Sequence, residues 1–248
     1  MMAKLAAAIL TYGDWLGLQR TIAGLWGCDI IFVVHAKFRN NPVEIPESRE
    51  MTEDAITLSQ FRNYNIKMED MSGCTEYECR SAFLEFCKQY DCDYMLIIDS
   101  DEYIFEPTVW NWAMFRFNMQ HVAECTFEKE HNVFGVWCTR GFTGETNDWE
   151  YYPRLWYKPD EMMYKFGSHF RFVNKKDREH YYDDYATPAM KIIEGIKFIH
   201  SHDLRLGKMN LARSQYHEWL KEEEAKIGRE ILNASIEKLK QIQSPRLV

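Results

Sequence analysis

The pair of carboxylates in Asp99-Ser100-Asp101 offers this chain its most specific chemistry. Two hard oxygen donors, two residues apart, can hold Mn2+ or Mg2+ against a diphosphate. With 38 acidic residues in 248, such a triplet arises by chance about 6 times, so its weight comes from its position. It follows Tyr94-Met95-Leu96-Ile97-Ile98, a run apolar at every residue, as in a strand buried on both faces. In open α/β sheets, ligands bind at the carboxyl ends of such strands. The competing reading is a solvated acidic loop.

His200-Ser201-His202-Asp203 ends another strand-like stretch, Lys191 to His200. Imidazoles two residues apart point to one face, and His200 or His202 could complete a metal shell begun by carboxylates elsewhere. Ordinary hydrogen-bonded histidines are the alternative. Asp148 and Glu150 follow the loop between Gly141 and Gly144, and His169 follows Gly167. Loops on a rigid sheet are where acids, bases and substrate contacts concentrate, although each residue could be merely polar. Arg80 and Arg154 can each neutralise a phosphate or form a structural ion pair. A GxGxxG after a strand, a Walker A loop, a GxSxG elbow and an HExxH are all missing from the sequence.

The elements needed to position these groups are legible in the first hundred residues, where short apolar runs alternate with helical patterns. That alternation predicts a parallel sheet with crossover helices. Strands are expected at Lys4 to Thr11, Asp29 to His35, Asn65 to Glu69 and Tyr94 to Ile98. Helices are expected at Trp15 to Leu25 and Thr75 to Tyr90, the second opened by an imperfect capping box. The segment with Pro42 and Pro46 reads as a loop. Beyond Glu106 come a helix from Pro107 to about Met119 and strands at Val133 to Thr139, Tyr151 to Tyr157 and Phe166 to Val173. These lack helical crossovers and predict a mixed or antiparallel layer added to the parallel one.

Composition narrows the function classes. A hydrophobic fraction of 46% can build a core, and a net charge of -8 argues against broad nucleic-acid binding. No apolar run approaches the roughly 18 residues of a membrane span. The opening residues superficially resemble a short signal peptide without a convincing cleavage site, and they read as the first core strand. Seven cysteines lack CxxC spacing, which points to free thiols in a reducing, cytoplasmic compartment. Aromatics reach 15% and crowd the stretch from Trp110 to Tyr185, as in a groove that stacks on rings or as in an aromatic-rich core. We expect one α/β domain over residues 1–207. It divides into a nucleotide-binding half, 1–103, and an acceptor half, 104–207. A charged amphipathic helical extension, 208–248, could pack on the domain, meet a partner or touch a membrane surface.

The order of these pieces resembles the glycosyltransferases of the GT-A fold, the family 2-like group in particular. The segments that carry the resemblance are Ala8-Ile9-Leu10-Thr11-Tyr12, Glu76-Tyr77-Glu78-Cys79-Arg80, Leu96-Ile97-Ile98-Asp99-Ser100-Asp101-Glu102, Tyr152-Pro153-Arg154-Leu155-Trp156, Tyr164-Lys165-Phe166-Gly167-Ser168-His169 and Phe198-Ile199-His200-Ser201-His202. The chain departs from the group at His35, where an aspartate is common, at Arg80-Ser81 in place of Arg-Asn, and at Phe170 in place of an acidic residue.

The resemblance implies a mixed, mainly parallel sheet flanked by helices, and transfer of a sugar, with inversion, from a nucleotide-diphosphate donor, UDP-type favoured. The acceptor would be a glycan, a lipid-linked molecule or a protein. It implies donor contacts from Thr11, Tyr12, His35, Arg80, Asp99, Ser100 and Asp101. Metal ligation, by Mn2+ or Mg2+, would come from Asp99, Asp101, His202 and His200. Asp148, then Glu150, is the candidate base, and Trp149, Arg154 and His169 are the candidate acceptor contacts. A haloacid dehalogenase-type phosphatase also places Asp-x-Asp after an apolar strand, but normally after the first core strand and followed by Thr or Val where this chain has Tyr103. A glycan-binding module without turnover is the non-enzymatic alternative.

Overall fold

The computed structural model describes residues 3–39, 41, 44–60, 64–125, 133–139, 148–159, 162–164, 172–174 and 191–201. The first half alternates as the sequence predicts: β1 (Leu5–Thr11), α1 (Trp15–Gly24), β2 (Ile30–His35), α2 (Ser48–Gln60), β3 (Ile66–Asp70), α3 (Glu76–Gln89) and β4 (Tyr94–Asp99). There follow β5 (Glu102–Ile104), α4 (Val109–Cys125), β6 (Val133–Thr139), β7 (Trp149–Tyr157), β8 (Met162–Tyr164), β9 (Phe172–Asn174) and β10 (Ile192–His200).

Eight strands form one mixed, mainly parallel sheet in the order β3-β2-β1-β4-β7-β6-β10-β5, while β8 and β9 pair separately. The strands β3, β2, β1 and β4 run parallel, β7 is antiparallel to both β4 and β6, and β10 is parallel to β6 and antiparallel to β5. The expected second layer is therefore not separate: β7, β6, β10 and β5 extend the first sheet edge to edge. Alternate residues of each strand feed two cores. Leu5, Ala7 and Ile9 pack with Leu18, Ile22, Ile56, Trp112 and Phe115 of α1, α2 and α4. Ala6, Ala8, Phe32 and Ile97 pack with Cys79 and Phe83 of α3 on the other face.

Two helices differ from expectation for identifiable reasons. The stretch read as a loop after Pro46 contains α2, whose buried positions are Ser48, Thr52, Ala55, Ile56 and Ser59. These follow helical spacing, but most are small or polar, so the stripe is invisible to a hydrophobic pattern. α4 begins at Val109 and not at Pro107, because Thr108 Oγ1 accepts from the Asn111 N–H at 3.1 Å and caps the helix there. The capping box at Thr75 is complete: Thr75 Oγ1 accepts from the Glu78 N–H, and the Glu78 carboxylate accepts from the Thr75 N–H. The strand expected over Phe166 to Val173 is described only from Phe172, and the extension 208–248 lies outside the described residues.

Candidate active site

Asp99 ends β4, and the chain turns through Ser100 and Asp101 into β5. β5 pairs antiparallel with β10, placing Glu102 opposite His200 and Tyr103 opposite Ile199. That register brings together residues 99 apart in sequence: His200 Nε2 lies 2.8 Å from Asp101 Oδ2. The Ser201 N–H donates to the Asp101 carbonyl at 3.1 Å, and the His200 N–H to Thr139 Oγ1 at 3.0 Å. The Asp101 side chain is 0% exposed and that of His200 12%. Of the two histidines expected as alternatives, His200 is in contact with Asp101, whereas His202 lies outside the described residues.

The loop is held from beneath by buried groups. Glu102, fully buried, accepts from Arg154 Nη2 through one oxygen and from the Asp99 N–H at 3.0 Å through the other. Burial, reinforced by the neighbouring charges of Asp99 and Asp101, raises the Glu102 carboxyl above its ordinary range against the pull of Arg154 and His200. Arg80 donates from Nε to Glu76 at 2.8 Å and pairs through Nη2 with Asp99 Oδ1 at 3.6 Å. Both arginines thus sit in buried ion pairs, Arg154 with Glu102 and Arg80 with Glu76 and Asp99. On the other side of the loop, Ser100 Oγ donates to Asp14 Oδ2 at 2.9 Å, and Thr21 Oγ1 donates toward the Ser100 and Glu102 carbonyls. Gly17 leaves room for this approach, since a Cβ there would stand 2.5 Å from the Ser100 carbonyl oxygen. Glu102 and Asp14 were not among the expected site residues. The only sequence signal for Glu102 was its place in the acidic run after Asp101, and Asp14 had none.

Thr11, His35 and Asp70 lie in register across β1, β2 and β3. Thr11 Oγ1 is buried and has no hydrogen-bond partner among the described residues. His35 is also buried, and both its ring nitrogens are engaged: Nδ1 lies 3.2 Å from Asp70 Oδ1 and Nε2 2.9 Å from Ser48 Oγ. The Gly13 N–H donates to the same Ser48 Oγ, and the Asp70 carboxylate, which only accepts, faces a proton on Nδ1. Ser48, His35 and Asp70 have the connectivity of a hydrolytic triad, but Ser48 is 1% exposed and already bonded by backbone. The chain of bonds instead ties the Tyr12-Gly13 turn to β2 and β3. The Tyr12 hydroxyl accepts from the Ile45 N–H at 3.0 Å, and its ring centroid lies 5.8 Å from that of His35.

The N-terminal end of β7 reaches the same edge, because β7 runs antiparallel to β4 with Leu155 opposite Leu96. Asp148 is exposed there, and Glu150 accepts from the Tyr152 hydroxyl at 3.1 Å. The Trp149 ring lies 5.8 Å from Phe105 and 5.1 Å from the Lys197 ammonium. His169 lies outside the described residues.

Among the described residues no group of three His, Cys, Asp or Glu side chains forms a ready ligand set. A carboxylate and an imidazole in contact, Asp101 and His200, do suit a borderline ion such as Mn2+, with phosphate oxygens and water completing its shell. The second carboxylate of the motif, Asp99, is turned toward Arg80.

No protein-family model matches the chain, and no curated protein does. Solved structures give faint likenesses. TarS of S. aureus is 18% identical over 57% of this chain and 22% of its own, with a TM-score of 0.35. Mannosyltransferase PcManGT from Pyrobaculum calidifontis, in complex with GDP-Man and Mn2+, is 9% identical over 57% of this chain and 36% of its own, at 0.37. The 4-diphosphocytidyl-2C-methyl-D-erythritol synthase from Anaerococcus prevotii is 13% identical over 63% of this chain and 70% of its own, at 0.33. The chain spans well under half the length of the first two, and likeness at these scores carries no weight for activity. Among the described residues, no helix is long and apolar enough to cross a membrane.

Proposed function

We propose that this chain is a metal-dependent glycosyltransferase of the GT-A, family 2-like type. It moves a sugar from a nucleotide-diphosphate donor, UDP-type favoured, to a hydroxyl of a glycan, lipid-linked or protein acceptor, with inversion. The observation that carries the reading is the meeting of Asp101 with His200 at 2.8 Å on the carboxyl edge of a mainly parallel sheet. The order of the sequence segments supports it.

Asp101 and His200 would hold Mn2+ or Mg2+, with Asp99 nearby on the same loop and His202 as the further candidate ligand. When bound, that ion supplies the positive charge that stabilises the departing diphosphate, so no proton donor is needed on that side. Thr11 and Tyr12 are the proposed nucleoside contacts, supported by a Thr11 hydroxyl that has no partner among the described residues. Arg80 holds Asp99 turned toward it. At the acceptor side, Asp148 removes the proton of the attacking hydroxyl, with Glu150 as the second candidate. Trp149 and His169 remain the proposed acceptor contacts, whereas Arg154, expected as a third, would act through Glu102 on the shape of the loop.

The test is release of nucleoside diphosphate from a panel of UDP-, GDP- and TDP-sugars with Mn2+, Mg2+ or EDTA. Slow, metal-dependent release from one nucleotide family, abolished in Asp101→Asn, is expected. Hydrolysis of simple phosphate esters with no response to any nucleotide sugar would overturn the assignment.

A further inference from the structure

At the opposite edge of the sheet, α3 ends and β4 begins through a turn that sets two cysteines side by side. The Cys92 N–H donates to the Cys87 carbonyl at 2.9 Å, the Asp91 N–H donates to Lys88 at 3.3 Å, and Asp91 takes a left-handed φ of 52°. This is a Schellman turn, which presses the side chain two residues beyond the helix cap against one in the last helical turn. In most proteins that contact is a hydrophobic pair. Here both positions carry free thiols, and the Cys87 thiol hydrogen-bonds the Cys92 sulfur.

The two thiols are not equivalent. Cys92 is 8% exposed and Cys87 1%. Cys92 Sγ lies 3.8 Å from the Tyr90 carbonyl, to which the Lys4 ammonium also donates, so a positive charge stands beside it. The bond from Cys87, helped by Lys4 against burial, holds the Cys92 thiol below the ordinary thiol range. Among the described residues no third ligating side chain joins them.

We propose that Cys87 and Cys92 are a redox modification site that closes to a reversible intrachain disulfide under a hydroperoxide. The Cys92 thiolate attacks one peroxide oxygen, the O–O bond breaks, and the sulfur, oxidised by two electrons, becomes a sulfenic acid as hydroxide or alkoxide leaves. Cys87 then attacks the sulfenyl sulfur, its proton leaves with the hydroxyl as water, and the S–S bond forms. A dithiol reductant returns both thiols. The bridge would join the base of α3 to the base of β4, the two elements that carry Arg80 and Asp99 at their far ends. The site stands whether or not the chain transfers sugars.

Trypsin cuts after Lys88, between the two cysteines, so the disulfide appears as two joined peptides. The full chain is treated with hydrogen peroxide, alkylated and digested for mass spectrometry. The expected result is a Cys87–Cys92 cross-link, lost after dithiothreitol. Cys87→Ser should instead accumulate a sulfenic acid at Cys92 that dimedone traps, and Cys92→Ser should leave Cys87 reduced. Pairing of either cysteine with another, over-oxidation of Cys92 without a cross-link, or both thiols staying reduced while Cys28 and Cys74 oxidise would each overturn the proposal.

Discussion

Taking the carboxylate from Glu102 would strip Arg154 of the buried acceptor to which its guanidinium donates, and it would remove the acceptor of the Asp99 N–H. Breaking one side of a buried ion pair costs about 3 to 5 kcal/mol, whereas replacing both partners by apolar groups is often near neutral. Glu102→Ala is therefore expected to lose about 3 kcal/mol in urea denaturation, and Glu102→Ala with Arg154→Met to recover most of it. Strictly additive losses would contradict the coupling. Asp70 allows a second test. Burial pushes its carboxyl up, but hydrogen bonds from Ser72 and His35 outweigh burial and leave its pKa lowered. A carboxylate lowered in the folded state contributes stability in full above its unfolded pKa, about 3.9, and loses it as pH falls through the folded value. Wild type should exceed Asp70→Asn in melting temperature at pH 6, and the gap should close below about pH 4. A gap that widened on acidification would contradict this account of Asp70.

At the scale of elements, the DSD loop depends on how closely α1 approaches it. A methyl group at Gly17 would meet the Ser100 carbonyl oxygen at 2.5 Å and Asp14 Oδ1 at 2.7 Å, and a backbone carbonyl cannot rotate aside. Gly17→Ala should displace the loop and lower turnover by about tenfold or more, since misplacement by an ångström can cost a hundredfold. Donor kinetics unchanged from wild type would show that the loop is not set by α1. Elements built on apolar patterns were legible in the sequence: β1, β2, β4 and α3 fall within a residue or two of expectation, because their buried faces are continuous. α2 was hidden because Ser48, Thr52 and Ser59 make its buried face, and β5 because three residues carry no period. β5 also supplies what spacing could not: its register with β10 places His200 against Asp101, while His202 lies outside the described residues. Arg80 and Arg154 were picked out by charge, but their carboxylate partners are set by packing and could not be read from spacing.

For the whole molecule, the parallel strands β3, β2, β1 and β4 line up Asp70, His35, Thr11 and Asp99 along one edge, and the return strands bring Asp148, Glu150, Thr139 and His200 to it. The candidate site exists only because both stretches of the chain share one sheet; on the proposed reading, a nucleotide-diphosphate sugar would there meet donor-side and acceptor-side groups together. On that reading, Asp101 and His200 would hold a divalent ion that neutralises the diphosphate, which would make metal and nucleotide binding mutually dependent. The most direct measurement is a calorimetric titration of UDP into wild type and Asp101→Asn, each with Mn2+ and with EDTA. The account predicts that Mn2+ tightens UDP binding to wild type by at least about tenfold, or roughly 1.4 kcal/mol, and leaves the variant unchanged. Binding indifferent to Mn2+ in wild type, or an Mn2+ effect that survives intact in Asp101→Asn, would contradict it.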